Sequence, residues 1–216
     1  MKHATQSDTK KRSYHSLVRQ RQAEETQQRL LAVARELFTS RGYANTTLEM
    51  IGEAAAVSPK TISAVFGSKR GILVEVVNPR TCSTHIKLLF DELYTSSDPV
   101  QQVALVAQIT RRVYESLVKE MELLRTASAM VPELVGLAQQ IEARRRQNQS
   151  GLVVYLQEHQ MLRFGLSCEE ANDVLWTLTS YDLYRLLVIE RHWSLEHYET
   201  WLAQLLKELL LQQDNA

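Results

Sequence analysis

Residues 46–69 read TTLEMIGEAAAVSPKTISAVFGSK and contain two short segments with apolar residues at helical spacing. The segments span 48–55 and 59–66, and only three residues, 56–58, separate them. Two helices of this length joined by so short a turn are typical of a helix-turn-helix. The sequence therefore predicts a helix-turn-helix between residues 46 and 69.

Both helices carry start signals. Thr46 stands three residues before Glu49, which is the spacing of a capping box. The second helix has Ser58 at the N-cap and Pro59 at its first position, where a missing N–H costs nothing. We therefore expect the helices to begin at these residues.

The second helix should bury Ile62 and Phe66 and expose the opposite face. The small core of the domain is expected to consist of Phe38, Tyr43, Ile51, Ile62 and Phe66. Such a helix can enter the major groove with its N-terminal residues nearest the base edges. Lys60 is its long polar side chain able to reach a guanine acceptor, and Thr47 and Lys69 are expected at phosphates. The spacing alone also fits a helical hairpin that never contacts DNA. The predicted DNA-binding residues are Thr47, Ser58, Pro59, Lys60, Thr61, Ser63, Ala64 and Lys69.

Residues 31–73, with AVARELFTSRGYANTT and IGEAAAVSPKTISAVFGSKRGIL, resemble the N-terminal domain of the tetracycline-repressor (TetR) family of bacterial transcription regulators. Near the C-terminus, DVLWTLTSYDLYRLLVIERHWSLEHYETWLAQLL is similar to the last two helices of many members. The resemblance implies an all-α fold of about nine helices. It also implies a three-helix DNA-binding domain followed by a helical ligand-binding and dimerisation domain.

Three positions depart from the family pattern. Ala56 stands where the turn usually has Gly, so its backbone should stay near helical values or accept strain. Ser63 replaces an aromatic residue that often contacts a phosphate, and Val65 replaces a frequent His or Tyr. These departures leave open a second interpretation, in which a helical ligand-binding or adaptor protein has lost sequence-specific DNA reading.

Composition and charge fit a globular regulator. The chain has 216 residues, of which 44% are hydrophobic, and only seven Gly and four Pro. No apolar run reaches the length of a membrane span, and the polar N-terminus lacks a secretory signal, so we expect a cytoplasmic protein. Residues 1–80 carry 13 Lys and Arg against 7 Asp and Glu, and the remainder is acidic. A positive N-terminal half favours binding to DNA phosphates.

The pattern predicts three parts: a basic flexible arm (1–21), the helix-turn-helix domain (22–68) and the helical body (69–216). The arm is either a solvated tail or a contact to DNA. Asn78-Pro79 should interrupt the fourth helix, as a hinge or as a plain helix boundary. The body is expected to have helices at 98–119, 121–130, 132–161 and 168–191 and a last helix after Ser194.

The last two predicted helices carry more apolar surface than one chain needs to bury, which favours a homodimer with a four-helix interface. The predicted interface residues are Leu183, Leu187, Tyr198, Trp201, Leu205 and Leu209. Through the resemblance, the body is also expected to enclose a pocket for a small effector. The candidate pocket residues, for each of which plain core packing is the alternative, are His85, Leu89, Ile109, Val113, Tyr155 and Trp176.

No catalytic or cofactor motif is present. Cys82 and Cys168 are far apart and are expected to be reduced, and His192 and His197 lack a third metal ligand nearby other than Glu196. The sequence thus predicts a non-enzymatic, ligand-responsive repressor that binds a palindromic operator in double-stranded DNA as a homodimer, without a cofactor, a metal or a membrane contact.

Overall fold

The computed structural model describes residues 5–79, 83–134 and 136–212. These residues form an all-α fold of ten α-helices, close to the nine predicted. The helices are α1 (Thr5–Arg41), α2 (Leu48–Ala55), α3 (Pro59–Phe66), α4 (Lys69–Val76), α5 (Thr84–Thr95), α6 (Pro99–Met130), α7 (Leu137–Glu158), α8 (Cys168–Leu178), α9 (Tyr181–Tyr184) and α10 (Leu195–Leu210). A 3-10 turn at Pro132–Leu134 lies before α7, and a π-helix at Arg185–Glu190 continues α9. In this part of the chain, no helix is long and apolar enough to cross a membrane.

The chain divides into two compact units after Val76. The first unit holds α1–α4 and the second holds α5–α10. The sequence places this boundary between residues 68 and 69, and the structure moves it to the end of α4. The physical reason is packing: α4 lies against α1, and Arg35 donates a hydrogen bond of 3.2 Å to the Val76 carbonyl. α4 also ends before Asn78-Pro79 and does not continue toward Leu88, so the interruption is a helix boundary.

Helix α1 is much longer than predicted. It begins at Thr5, whereas the sequence predicts a flexible arm up to residue 21 and a helix that starts only at residue 23. Residues 5–41 contain neither Gly nor Pro. No helix-breaking residue therefore stops the helix from extending N-terminally beyond its buried part. An exposed ion pair of 3.0 Å between Arg21 and Glu25, four residues apart, adds a small contribution.

The core of the N-terminal unit matches the prediction closely. Phe38, Tyr43, Ile51 and Ile62 are buried, and the Phe38 and Tyr43 rings lie 5.3 Å apart. Phe66, also predicted to be in this core, is only half-buried. The three helices of the predicted helix-turn-helix domain therefore share one small core.

The start of α2 differs by one residue from the prediction. Thr47, and not Thr46, is the N-cap, and its hydroxyl accepts from the Met50 N–H at 3.2 Å. Thr46 is fully buried, and its hydroxyl donates to the carbonyls of Leu37 and Gly42, at 3.2 and 3.0 Å. Because Thr46 ties the turn back onto α1, it is unavailable as a cap.

Lys69, at the start of α4, ties the turn between α1 and α2 to the rest of the unit. Its Nζ donates to the carbonyls of Tyr43 and Thr46, at 3.1 and 3.0 Å. The same Nζ lies 4.3 Å from the centroid of the Tyr43 ring. Hydrogen bonds from a charged donor to half-buried carbonyls are among the stronger ones in proteins. We call this arrangement the Lys69 clamp.

Helices α3 and α4 approach so closely that only glycine fits at position 71. A Cβ placed on Gly71 would lie 2.0 Å from the Phe66 carbonyl oxygen. The turn between the two helices depends on this approach, because Gly67 adopts a φ of 73° and the Ser68 hydroxyl accepts from the Gly71 N–H at 3.1 Å.

The second unit is built around α6, which packs against α5, α7, α9 and α10. Two predicted helices, 98–119 and 121–130, form this one continuous helix because no Gly or Pro separates them. The predicted helix 132–161 is shorter, since Gly136 has a φ of 78° and α7 begins only at Leu137. The predicted helix 168–191 is split at Thr179 and Ser180.

Four tyrosines meet in the core of this unit. The rings of Tyr114, Tyr181 and Tyr184 lie within 6.3 Å of one another, and Tyr184 packs edge-on against Tyr198 at 5.3 Å. Burial raises the pKa of all four hydroxyls. Tyr114 donates to the Thr179 carbonyl at 2.9 Å, so it links α6 to the break after α8.

Replacing Gly71 by Ala should destabilise the protein by roughly 1–3 kcal/mol, because the new methyl group displaces the Phe66 carbonyl. Gly151→Ala on α7 is the matched control, since a Cβ there meets nothing within 4 Å. It should raise stability by about 0.5–1 kcal/mol, because alanine is the better helix former. Urea unfolding followed by circular dichroism measures both; a neutral Gly71→Ala would contradict the close approach of α3 and α4.

Replacing Lys69 by Met keeps the stem against Tyr43 but removes the donor of the clamp. We expect a loss of about 1–3 kcal/mol of unfolding free energy, because two half-buried carbonyls lose a charged partner. Lys60→Met is the control, since Lys60 is exposed and should change stability by less than about 0.5 kcal/mol. Equal effects of the two substitutions in chemical denaturation would show that the clamp contributes nothing.

Candidate nucleic-acid interface

The turn between α2 and α3 is tight and slightly strained. Ala56 has φ 52° and ψ 44°, a left-handed conformation that suits glycine, and a non-glycine residue there costs about 1–3 kcal/mol. Of the two outcomes that the sequence leaves open at Ala56, the structure thus adopts the strained one. The Val57 N–H donates to the Gly52 carbonyl at 2.8 Å, and a Cβ on Gly52 would lie 2.6 Å from the Val57 oxygen.

The start of α3 is fixed as the sequence predicts. The Ser58 hydroxyl accepts from the Thr61 N–H at 3.1 Å and lies 2.8 Å from the Thr61 hydroxyl. Pro59 occupies the first position of the helix. This cap holds the first turn of α3 in one conformation and leaves its outer side chains toward solvent.

The outer face of α3 is a mixed polar and apolar surface. Ile62 is fully buried and anchors the helix, and 48% of the Val65 side chain is exposed. Lys60 gives this face a positive charge and a long donor. The other exposed residues of the face are Pro59, Thr61, Ser63 and Ala64. A helix with this short polar surface has the chemistry to donate to base acceptors and to contact a thymine methyl group.

The two predicted phosphate contacts differ in their availability. Thr47 is exposed at the start of α2, where the backbone N–H of Glu49 and the Thr47 hydroxyl lower the pKa of the Glu49 carboxyl. A phosphate would therefore compete with this carboxylate for the Thr47 hydroxyl. Lys69 is half-buried in the clamp, with two of its three N–H groups bonded to Tyr43 and Thr46. Sequence reasoning missed this role, because the acceptors are backbone carbonyls that no residue type reveals.

The six candidate pocket residues differ in burial and in their neighbours. Leu89, Ile109 and Val113 are buried in the core, whereas His85 is exposed on α5. The other two are half-buried on α7 and α8, where Tyr155 lies against His159 with ring centroids 4.1 Å apart and Trp176 donates to Glu142 at 3.0 Å.

An open depression of about 350 Å³ lies between α7 and α8, away from these six side chains. Its lining residues are Arg146, Ser150, Val153, Val154, Cys168, Glu169 and Asn172.

The residues predicted for a dimer face all lie on the second unit. Leu183 and Leu187 are half-buried, and so are three residues of α10, namely Trp201, Leu205 and Leu209. Tyr198 is a correction: none of its surface is exposed, so it belongs to the core of one chain and cannot reach a partner. The structure adds two apolar side chains on the π-helix, Leu186 with 44% and Ile189 with 36% of its surface exposed.

The described residues hold no group of three His, Cys, Asp or Glu side chains able to bind a metal ion. His192 and His197 are both exposed, and the His197 ring lies 4.3 Å from Trp193. Cys168 is a free, half-buried thiol, and Cys82 lies outside the described residues.

Comparison with known proteins agrees with this geometry. Residues 30–76 match the family described as bacterial regulatory proteins, tetR family. The chain is 38% identical over 61 residues to the HTH-type transcriptional regulator TcmR of Streptomyces glaucescens, and this match spans 28% of the chain and 27% of TcmR.

Solved structures extend the likeness to the whole fold. A transcriptional regulator from Saccharomonospora viridis in complex with choline superposes with a TM-score of 0.61 and 22% identity, over 88% of this chain and all of that one. NalD of Pseudomonas aeruginosa, the secondary repressor of the MexAB-OprM multidrug efflux pump, gives a TM-score of 0.62 and 20% identity, over 90% and 100%. The N-terminal domain of the chain therefore belongs to the tetR family of bacterial regulatory proteins, and the chain as a whole has the fold of these solved regulators.

Proposed function

We propose that this chain is a DNA-binding transcription regulator that binds a palindromic operator as a homodimer. The observation that carries the proposal is the exposed face of α3, held by an N-cap at Ser58 and by a buried Ile62 on a small, well-packed unit. A short helix presented in this way fits the major groove. The match of residues 30–76 to the tetR family supports the same role.

Each residue of the interface has a distinct part in this proposal. Lys60 donates to guanine O6 or N7, and Ala64 contacts a thymine methyl group. Ser63 and Thr47 donate to phosphates, which orient the helix without reading sequence. Lys69 acts mainly on the protein, where the clamp fixes the turn before α2, and its third N–H is directed to a phosphate.

An operator with two half-sites requires a protein that presents two copies of α3, which is why we propose a dimer. Such half-sites lie about one helical turn of DNA, or a multiple of it, apart, so two copies of α3 are needed. The partly exposed apolar face formed by α9, the π-helix and α10 supplies the surface for a second copy. Its members are Leu183, Leu186, Leu187, Ile189, Trp201, Leu205 and Leu209. A four-helix arrangement with a second copy would remove this apolar surface from water equally on both chains.

A small molecule is the proposed signal, and repression is the proposed outcome. The fold is similar to a regulator solved with choline and to the repressor NalD, which supports both parts of this proposal. A ligand weakens operator binding only by its difference in affinity for the DNA-bound and free arrangements of the dimer. We place this regulator in the cytoplasm, where bacterial DNA lies, and the proposal includes no catalytic step.

Selection from random duplexes by the purified full-length chain, at low and near-physiological salt, tests the proposal. Enrichment of a palindrome is the expected result. Binding that is steep in salt but enriches no sequence would contradict it. In that case the adaptor interpretation, which the exposed Val65 at a usual polar position favours, becomes the better one.

Lys60→Ala should relax sequence preference at one base pair of each half-site by about 1–3 kcal/mol, because one bidentate contact is lost. Lys87→Ala, which removes the same charge from an exposed site on α5, is the control and should leave the preference unchanged. Fluorescence anisotropy with the selected duplex and its single-base variants measures both. Equal losses on all duplexes for Lys60→Ala would assign this lysine to a phosphate.

A further inference from the structure

Thr179 lies at a break in a segment that its own sequence favours as one continuous helix. Residues 168–191 contain neither Gly nor Pro, yet α8 ends at Leu178 and α9 begins at Tyr181. Thr179 keeps φ −94° and ψ 16°, and Ser180 takes the extended values −75° and 151°. The Ser180 N-cap is a local part of this break, and side chains from other helices meet the chain at the same point.

The Thr179 side chain uses its full hydrogen-bonding capacity at this break. The hydroxyl donates to the Leu175 carbonyl at 2.7 Å and accepts from Arg145 Nη1 at 2.8 Å and Gln149 Nε2 at 2.7 Å. A hydroxyl has one proton to donate and two lone pairs to accept, so no capacity is left over. Only 2% of Thr179 is exposed, and water hardly competes with these bonds.

At the break, one backbone carbonyl and one backbone N–H have hydrogen-bond partners that differ from those in a continuous helix. In a continuous helix the Thr179 carbonyl would accept from the N–H of Leu183. Here that carbonyl accepts from the Tyr114 hydroxyl at 2.9 Å, and the Leu183 N–H donates to the Ser180 hydroxyl at 3.3 Å. Both groups therefore stay bonded in the broken form, which lowers its cost relative to a continuous helix.

Arg145 is itself held in place by its neighbours. Its Nε and Nη2 donate to Glu142 Oε2 at 2.9 and 2.6 Å, and its guanidinium lies 5.5 Å from the centre of the Trp176 ring. Trp176 donates to the same Glu142 oxygen at 3.0 Å. The donors that reach Thr179 thus come from side chains with fixed positions on α6 and α7.

We propose that Tyr114, Arg145, Gln149 and Thr179, the Thr179 node, form a conformational switch between a broken and a continuous helix over residues 168–190. The node holds the broken form. Loss of its tertiary bonds lets Thr179 and Ser180 join the helix, which rotates the π-helix that carries Leu186 and Ile189. The consequence for a second copy rests on the proposed function, because that apolar face is the proposed dimer surface.

Amide hydrogen exchange of the full-length chain tests the switch, with Thr179→Val and Tyr114→Phe as the two variants. In the broken form, Tyr181 and Asp182 are the first residues of α9, where backbone N–H groups lack a partner within the helix. In a continuous helix these two N–H groups donate to the carbonyls of Thr177 and Leu178. We expect their exchange to slow about tenfold in both variants.

Two controls separate a switch from ordinary packing. Thr179→Ser keeps the hydroxyl and should exchange like the wild type at Tyr181 and Asp182. Val103→Ala, a buried position on α6, lowers stability and should speed exchange across the second unit without slowing these two amides.

Unchanged or faster exchange at Tyr181 and Asp182 in Thr179→Val and Tyr114→Phe would overturn the inference, as would a Thr179→Ser protein that behaves like Thr179→Val. Sedimentation of the same samples reports the dimer separately. A monomeric wild type would contradict the proposed function, while the exchange rates would still decide whether the switch exists.

Discussion

The Lys69 clamp is the interaction on which the N-terminal unit most depends. Three parts of the unit meet there: the end of α1 with its turn, the start of α2, and the start of α4. The Tyr43 and Thr46 carbonyls lie in the turn outside any helix, and the Tyr43 carbonyl also accepts from the Thr46 N–H at 3.2 Å. The Lys69 ammonium donates to both carbonyls and packs on the Tyr43 ring. Helix α3 lies between α2 and α4, so its exposed face is fixed through the same contacts.

Local signals decide how much of the fold the sequence predicts. The bounds of α2 and α3 follow from Ser58, Pro59 and the buried Ile51 and Ile62, because caps and periodicity act within a few residues. The choice between Thr46 and Thr47 as N-cap is not local. Thr46 is drawn into the core by carbonyls on α1, and only the three-dimensional fold reveals those acceptors.

In the second unit, contacts between residues far apart in the sequence also change what local signals predict. The residues alone predict one helix over 168–191, but the structure breaks it at Thr179, which binds Tyr114, 65 residues away, and Arg145, 34 residues away. Periodicity also could not separate Tyr198, which is fully buried and packs on Tyr184, from the partly exposed apolar residues of the same helix. For the candidate pocket residues the sequence cannot choose between the two alternatives, since apolar residues that line a cavity and those that fill a core have the same pattern.

In the proposed complex, the two copies of α3 lie in the major groove, one at each half-site of the operator. Dimethyl sulfate tests it directly on a selected duplex, because it methylates guanine N7 in the major groove and adenine N3 in the minor groove. With the wild-type chain bound, guanine N7 in both half-sites should be protected while adenine N3 in the same half-sites stays reactive. Protection of adenine N3 alone, or of guanines in neither half-site, would contradict the account.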